Sequence, residues 1–261
     1  MSQTPTRTLG NTWLLPVITL IGAVFAIAAA FLGSGALGGT PINQAAGGAL
    51  SADATPLAPA GPAFSIWSVI YLGLAAYALW QLTRTARTSP RQRSLRPWAL
   101  LSLLLNAAWI WTVQLGSLIG SVVVILALLA VLIRIMYILG APRTGGVVEQ
   151  VLTDGAFGLY FGWVLVATFA NTWAWLADLG VDAVQEIPAG VAGIVVATVV
   201  AAAAALLDGG RVAPALATAW GLAWIAVGRT EGQFESPVLV WAAGIAAAVV
   251  LLAPALRRLR R

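Results

Sequence analysis

Apolar runs long enough, or nearly long enough, to cross a lipid bilayer recur eight times along this chain, and that repetition leaves few folds open. A hydrocarbon core about 30 Å thick takes about 20 helical residues to cross. Inside it every backbone amide must find its partner within the protein, which restricts spanning segments to helices or closed barrels. The runs are approximately 13–32, 64–82, 98–115, 121–139, 155–176, 187–207, 212–227 and 237–256, the seventh being short. They are too long for barrel strands, so the predicted fold class is all-α, a polytopic membrane protein of eight spans. Composition agrees: 60% of residues are hydrophobic and 9% charged, whereas soluble domains carry about 25% charged residues.

The charges orient the spans. All fourteen basic residues are Arg, and the net charge is +5. They cluster at the ends of apolar runs, as expected for a membrane face and not for a nucleic-acid surface. The connection 83–97 carries Arg84, Arg87, Arg91, Arg93 and Arg96, and the tail carries Arg257, Arg258, Arg260 and Arg261. Placing both on the cytoplasmic side leaves Arg7, Arg143 and Arg211 inside as well, with only Arg229 outside. Both termini are then cytoplasmic, in a bacterial-type inner or plasma membrane. Asp178, Asp182 and Glu186 fall in an outer loop, in keeping with this. Arg7 followed by an apolar run and small residues also has the form of a signal peptide, but the run is longer than most signal cores, and retention as a span is the expectation. The connection 33–63 holds Pro41, Pro56, Pro59 and Pro62 and no basic residue. It reads as an irregular external cap, with a flexible linker as the alternative.

With no Cys and no His, disulfides and thiolate chemistry are excluded, and the usual ligands of zinc and haem iron are missing. No cofactor is expected to be required. The residues that carry information lie on helical stripes. Tyr160, Trp163, Ala167 and Asn171 stand at offsets of 0, 3, 7 and 11 in one apolar run, so one helix face carries all four. An amide in hydrocarbon costs roughly 2–7 kcal/mol without a partner, so that face should meet protein or ligand. Trp67 and Tyr71, and Asn106 and Trp109, make two further stripes. Together they would enclose a flat, mostly apolar cavity with a few polar handles, whose aromatic faces suit a planar ring system. The competing reading is that these residues are packing glue, the two Asn bonding across the bundle. Arg134 and Asp154 are the intramembrane charges, expected to pair with one another or, for Arg134, with Glu149.

The segment 64–71, Phe-Ser-Ile-Trp-Ser-Val-Ile-Tyr, continued by Gly73-Leu-Ala-Ala-Tyr77-Ala-Leu-Trp80, resembles the second helix of the translocator protein family, also called tryptophan-rich sensory proteins or peripheral benzodiazepine receptor-like proteins. Leu103-Leu-Leu-Asn106-Ala-Ala-Trp109 is similar to that family's third helix. Tyr160-Phe-Gly-Trp163-Val-Leu-Val-Ala167-Thr-Phe-Ala-Asn171 is similar to its fifth. The resemblance implies a five-helix ligand-binding bundle over 11–176. It leaves 187–261 as a three-helix transmembrane extension with a basic cytoplasmic tail, where Trp220 and Trp224 leave room for a contribution to a pocket. It further implies a sensory or binding protein whose partner is a hydrophobic tetrapyrrole-like molecule such as a porphyrin, held by Trp67, Tyr71, Asn106, Trp109, Tyr160, Trp163, Ala167 and Asn171, with the lipid bilayer around it. A homodimer is a further implication that the residues leave open. A small-molecule transporter or channel is the alternative, and a porphyrin-degrading activity resting on Trp67 and Trp163 is a third reading. The chain departs from the family in the segment before the second helix, where a Trp- and Lys-bearing motif is reduced to Pro56-Leu-Ala-Pro59-Ala-Gly-Pro62. It also lacks the basic residue that would complete a sterol-recognition pattern after Trp173 and Trp175.

Overall fold

A computed structural model describes residues 13–35, 40–42 and 44–259; Arg7, Arg260 and Arg261 lie outside them. The described residues form an all-α polytopic membrane protein without strands. Eight long helices are named in chain order: α1 Leu14–Gly33, α2 Ile66–Trp80, α3 Pro90–Gln114, α4 Leu118–Ile138, α5 Ala156–Asp178, α6 Ile187–Leu207, α7 Val212–Gly228 and α8 Pro237–Leu259. By length and composition, six are apolar enough to cross a membrane. α7 is apolar but has 17 residues, and α3 begins with Arg91, Arg93 and Arg96.

α3 starts two turns before the expected apolar run. Ser89 caps it, its side chain accepting from Gln92 N, and Pro90 occupies the first turn, where a missing amide hydrogen costs nothing. Much of the Arg-rich segment expected as a loop is therefore helix. Ser117 caps α4 in the same manner, accepting from Gly120 N. α5 is entered through a short helix Gly146–Glu149 and a π-helical turn Gln150–Gly155.

α1 lies along α3, α3 and α4 form a hairpin, α4 packs on α5, and α2 bridges α1 and α5. The last three helices join this bundle through α5 and α7. Gly158 abuts Ala213 and Pro214, Gly162 meets the Pro214 carbonyl and Ala217, and Gly221 of α7 receives Val166. A side chain at Gly162 would collide with backbone, so this close approach depends on glycine. α8 completes the layer across α6 and α7.

The two ends of the bundle differ. One is basic and gathers the 81–89, 139–145 and 208–211 connections. The other is roofed by residues 44–60, where Leu57 and Ala58 are buried, so the described part of this connection is an irregular cap over the helix ends.

Candidate functional site

Beneath the roof lies a small, partly open cavity of about 30 Å³, lined from below by Trp109, Trp163, Ala167 and Asn171 and from above by Leu50, Ala58, Pro59 and Phe64. Trp163 is its central wall, 1% exposed. Phe64 and Trp67 meet that indole edge to face, with ring centres 5.7 and 6.4 Å away. Trp67 stacks on Tyr71 at 5.1 Å and 21° and meets Tyr160 edge-on at 5.8 Å, within the range where aromatic pairs attract beyond simple burial.

Polar atoms knit these rings to the bundle. Trp109 Nε1 donates to Asn171 Oδ1 (2.8 Å), and Asn171 Nδ2 donates to Ser121 Oγ (2.8 Å). Asn106 Nδ2 donates to the Tyr71 hydroxyl (2.9 Å), and the Tyr160 hydroxyl donates to the Ser102 carbonyl (2.9 Å). Within this aromatic cluster, Trp163 Nε1 and Asn106 Oδ1 are buried without a hydrogen-bond partner among the described residues. Such groups are uncommon in native interiors and call for an explanation.

Of the eight residues expected at the site, Trp109, Trp163, Ala167 and Asn171 line the cavity. Trp67, Tyr71, Asn106 and Tyr160 stand behind Trp163 as a second layer, with Tyr160 fully buried. The stripe on α5 is real, but Tyr160 lies a turn too deep to reach the cavity. Ser121 and the roof residues carry no sequence signal, whereas Phe64 belongs to the motif that contains Trp67.

The roof is fastened mainly by α7 and the turn after it. Ala60 N donates to the Trp224 carbonyl (3.0 Å), and Trp220 Nε1 donates to the Ala63 carbonyl (2.9 Å). Arg229, the single Arg expected outside, is 0% exposed and donates to the Ala52, Thr55 and Ala58 carbonyls. Burial lowers its pKa and nearby Asp53 opposes the shift, yet a guanidinium stays protonated. Asp53 Oδ1 also accepts from Gln233 N, 3.2 Å away. Gly232, at a φ of 87°, brings the turn against this carboxylate where a Cβ would clash.

The basic end contradicts one expectation. Asp154 does not pair with Arg134. It is engaged by Arg91 (2.8 Å), Arg143 (3.1 Å) and Arg211 (3.4 Å), and Arg91 also grips Glu149 at 2.7 Å. The π-helical turn is the physical reason, for Thr153 and Asp154 are both buried in it, alongside Glu149. Glu149 additionally accepts from Gln92 Nε2 and from the Thr144 and Gly145 amides. Arg134 is exposed, with its guanidinium 5.8 Å from the Trp98 ring and 5.3 Å from the Tyr137 ring, a cation–π arrangement. Among the described residues no group of three or more His, Cys, Asp or Glu is placed to hold a metal ion.

No curated protein and no solved structure matches the chain. A family model described as TSPO-like protein matches residues 17–256, running past Leu176 and through most of α8. The helical bundle and its aromatic cluster are accordingly those of an integral membrane protein that belongs to the TSPO-like protein family.

Proposed function

We infer that this protein is a membrane binding or sensory protein for a planar hydrophobic small molecule, a porphyrin or related tetrapyrrole, held in the aromatic cavity under the 44–60 roof. The observation that carries this reading is the small cavity where Trp109, Trp163, Ala167 and Asn171 converge beside the Trp163 indole N–H, which has nothing to donate to among the described residues. Aromatic walls with a few polar handles are the usual composition of a small-molecule site. At about 30 Å³ the cavity is far below the roughly 300–1,000 Å³ of such sites, so the ligand binds with the roof raised. The buried charges Arg91, Glu149 and Asp154 lie at the opposite end and are mutually paired, which favours binding over ion-coupled transport. The family is not known to need a cofactor.

An absorbance titration of the purified protein with protoporphyrin, read together with tryptophan quenching, tests the reading. Loss of one stacking face, worth about 0.5–1.5 kcal/mol beyond lost area, should make Trp163→Leu bind roughly tenfold more weakly or worse. Trp241, 71% exposed on α8, is the control, and Trp241→Leu should bind as the wild type does. Equal affinity in all three folded proteins would make the aromatics packing residues and remove the reading.

A further inference from the structure

At the basic end a groove of about 1200 Å³ opens between α2 and α7, floored by Gly155, Ala156 and Leu159. Its two chemistries are segregated. Along its length stand Val69 and Leu72 of α2 and Leu216 of α7, and all three are at least 49% exposed. In an integral membrane protein such side chains meet acyl chains. At its end stand Arg143, Arg211 and Arg258, with Asp154 and Asp208 among them.

The charges there do not cancel. Counting the buried network that adjoins the groove, Arg91, Arg143, Arg211 and Arg258 face Glu149, Asp154 and Asp208, leaving one guanidinium in excess. The surplus can be assigned to a residue. Arg258 is exposed and makes no hydrogen bond or ion pair among the described residues. Arg211 is held in place by the carbonyls of Asp208 and Leu139, while its Nε, 3.4 Å from Asp154, has no hydrogen-bond acceptor. Asp208 Oδ1 accepts from Gly210 N and Arg211 N, which fixes the turn that presents Arg211.

We propose that this groove binds an anionic phospholipid of the surrounding leaflet, one acyl chain lying along α2 and α7 and the phosphate meeting Arg211 and Arg258. A basic pocket between transmembrane helices on the Arg-rich side is a setting in which acidic headgroups bind. A zwitterionic lipid brings its own cation to the unpaired guanidinium and gains less. A free phosphate gains nothing from the apolar walls. The site is separate from the roofed cavity and stands or falls without it.

Native mass spectrometry of the purified full chain, mixed with phosphatidylglycerol and phosphatidylcholine of identical acyl chains, reads the proposal directly. At about 1 kcal/mol for a basic residue near the surface, the wild type should retain phosphatidylglycerol about fivefold over phosphatidylcholine. Arg258→Gln, which breaks no internal contact, should remove the preference at an unchanged melting temperature. Leu72→Trp, which fills the groove, should reduce retention of both lipids. Glycerol 3-phosphate, a headgroup without chains, should displace neither. Equal retention of the two lipids by the wild type, a preference that survives in both Arg258→Gln and Arg211→Gln, or displacement by glycerol 3-phosphate would each overturn it.

Discussion

Asn171 joins the site to the bundle, accepting from the Trp109 indole and donating to Ser121. Asn171→Leu strands a buried indole N–H, and leaving such a donor unpaired costs about 1–3 kcal/mol. A lower melting temperature in detergent is the expected outcome, with the Ser121→Ala variant milder because it leaves the Trp109 bond intact. At the other end, Arg91→Ala leaves Glu149 without its cation and weakens the hold on Asp154. Removing one partner of a buried pair costs about 3–5 kcal/mol, so this variant should be severely destabilised. Arg134→Ala forfeits only exposed cation–π contacts of about 0.5–1 kcal/mol, and equal melting temperatures for the two variants would contradict the ion-pair assignment. Asp208 supplies a pH test. Burial raises its pKa despite the Arg211 and Gly210 amides and the Arg211 charge. The folded state therefore binds the proton more tightly than the unfolded chain, and this contribution to stability is present in acid and lost as pH rises through the folded pKa. Asp208→Asn keeps the acceptor for both amides, so it should match the wild type at low pH and exceed it in melting temperature at neutral pH.

Helices expose most of their logic in the sequence, and connections expose little. Trp163, Ala167 and Asn171 are readable because a 3.6-residue period inside an apolar run forces polar and aromatic groups inward. Leu50, Ala58 and Pro59 are not readable, because a roof has no period. Arg91 belongs to a run of five Arg that reads as a solvated cytoplasmic loop. Its burial depends on Ser89 capping α3 early and on the π-helical turn delivering Asp154, and a one-residue insertion in a helix leaves no compositional trace. The union of α5 with α7 is likewise visible only in space, although Gly158 and Gly162 carry its glycine spacing. Gly162→Leu should separate these helices and destabilise the whole bundle, whereas a Leu at Gly244, which has open space around it, should be tolerated.

For the whole molecule, the distribution of Arg sets the expected orientation, with the roof outside and both termini in the cytoplasm. Cysteines introduced at Ser51 and Thr88 test it on intact cells with a membrane-impermeant reagent. Ser51→Cys should react at once and Thr88→Cys only after lysis, and the reverse pattern would invert the molecule. Of the eight crossings anticipated from the apolar runs, six correspond to helices long and apolar enough to cross a membrane, while α3 opens with buried Arg and α7 is short and rests on α5 and α8. The Arg229 clamp has a consequence in time. If a ligand reaches the cavity only while residues 52–58 are detached from that guanidinium, the open fraction discounts the apparent affinity, and association waits on the protein's own opening. The observed binding rate should then level off as ligand concentration rises, and Arg229→Gln should raise that ceiling.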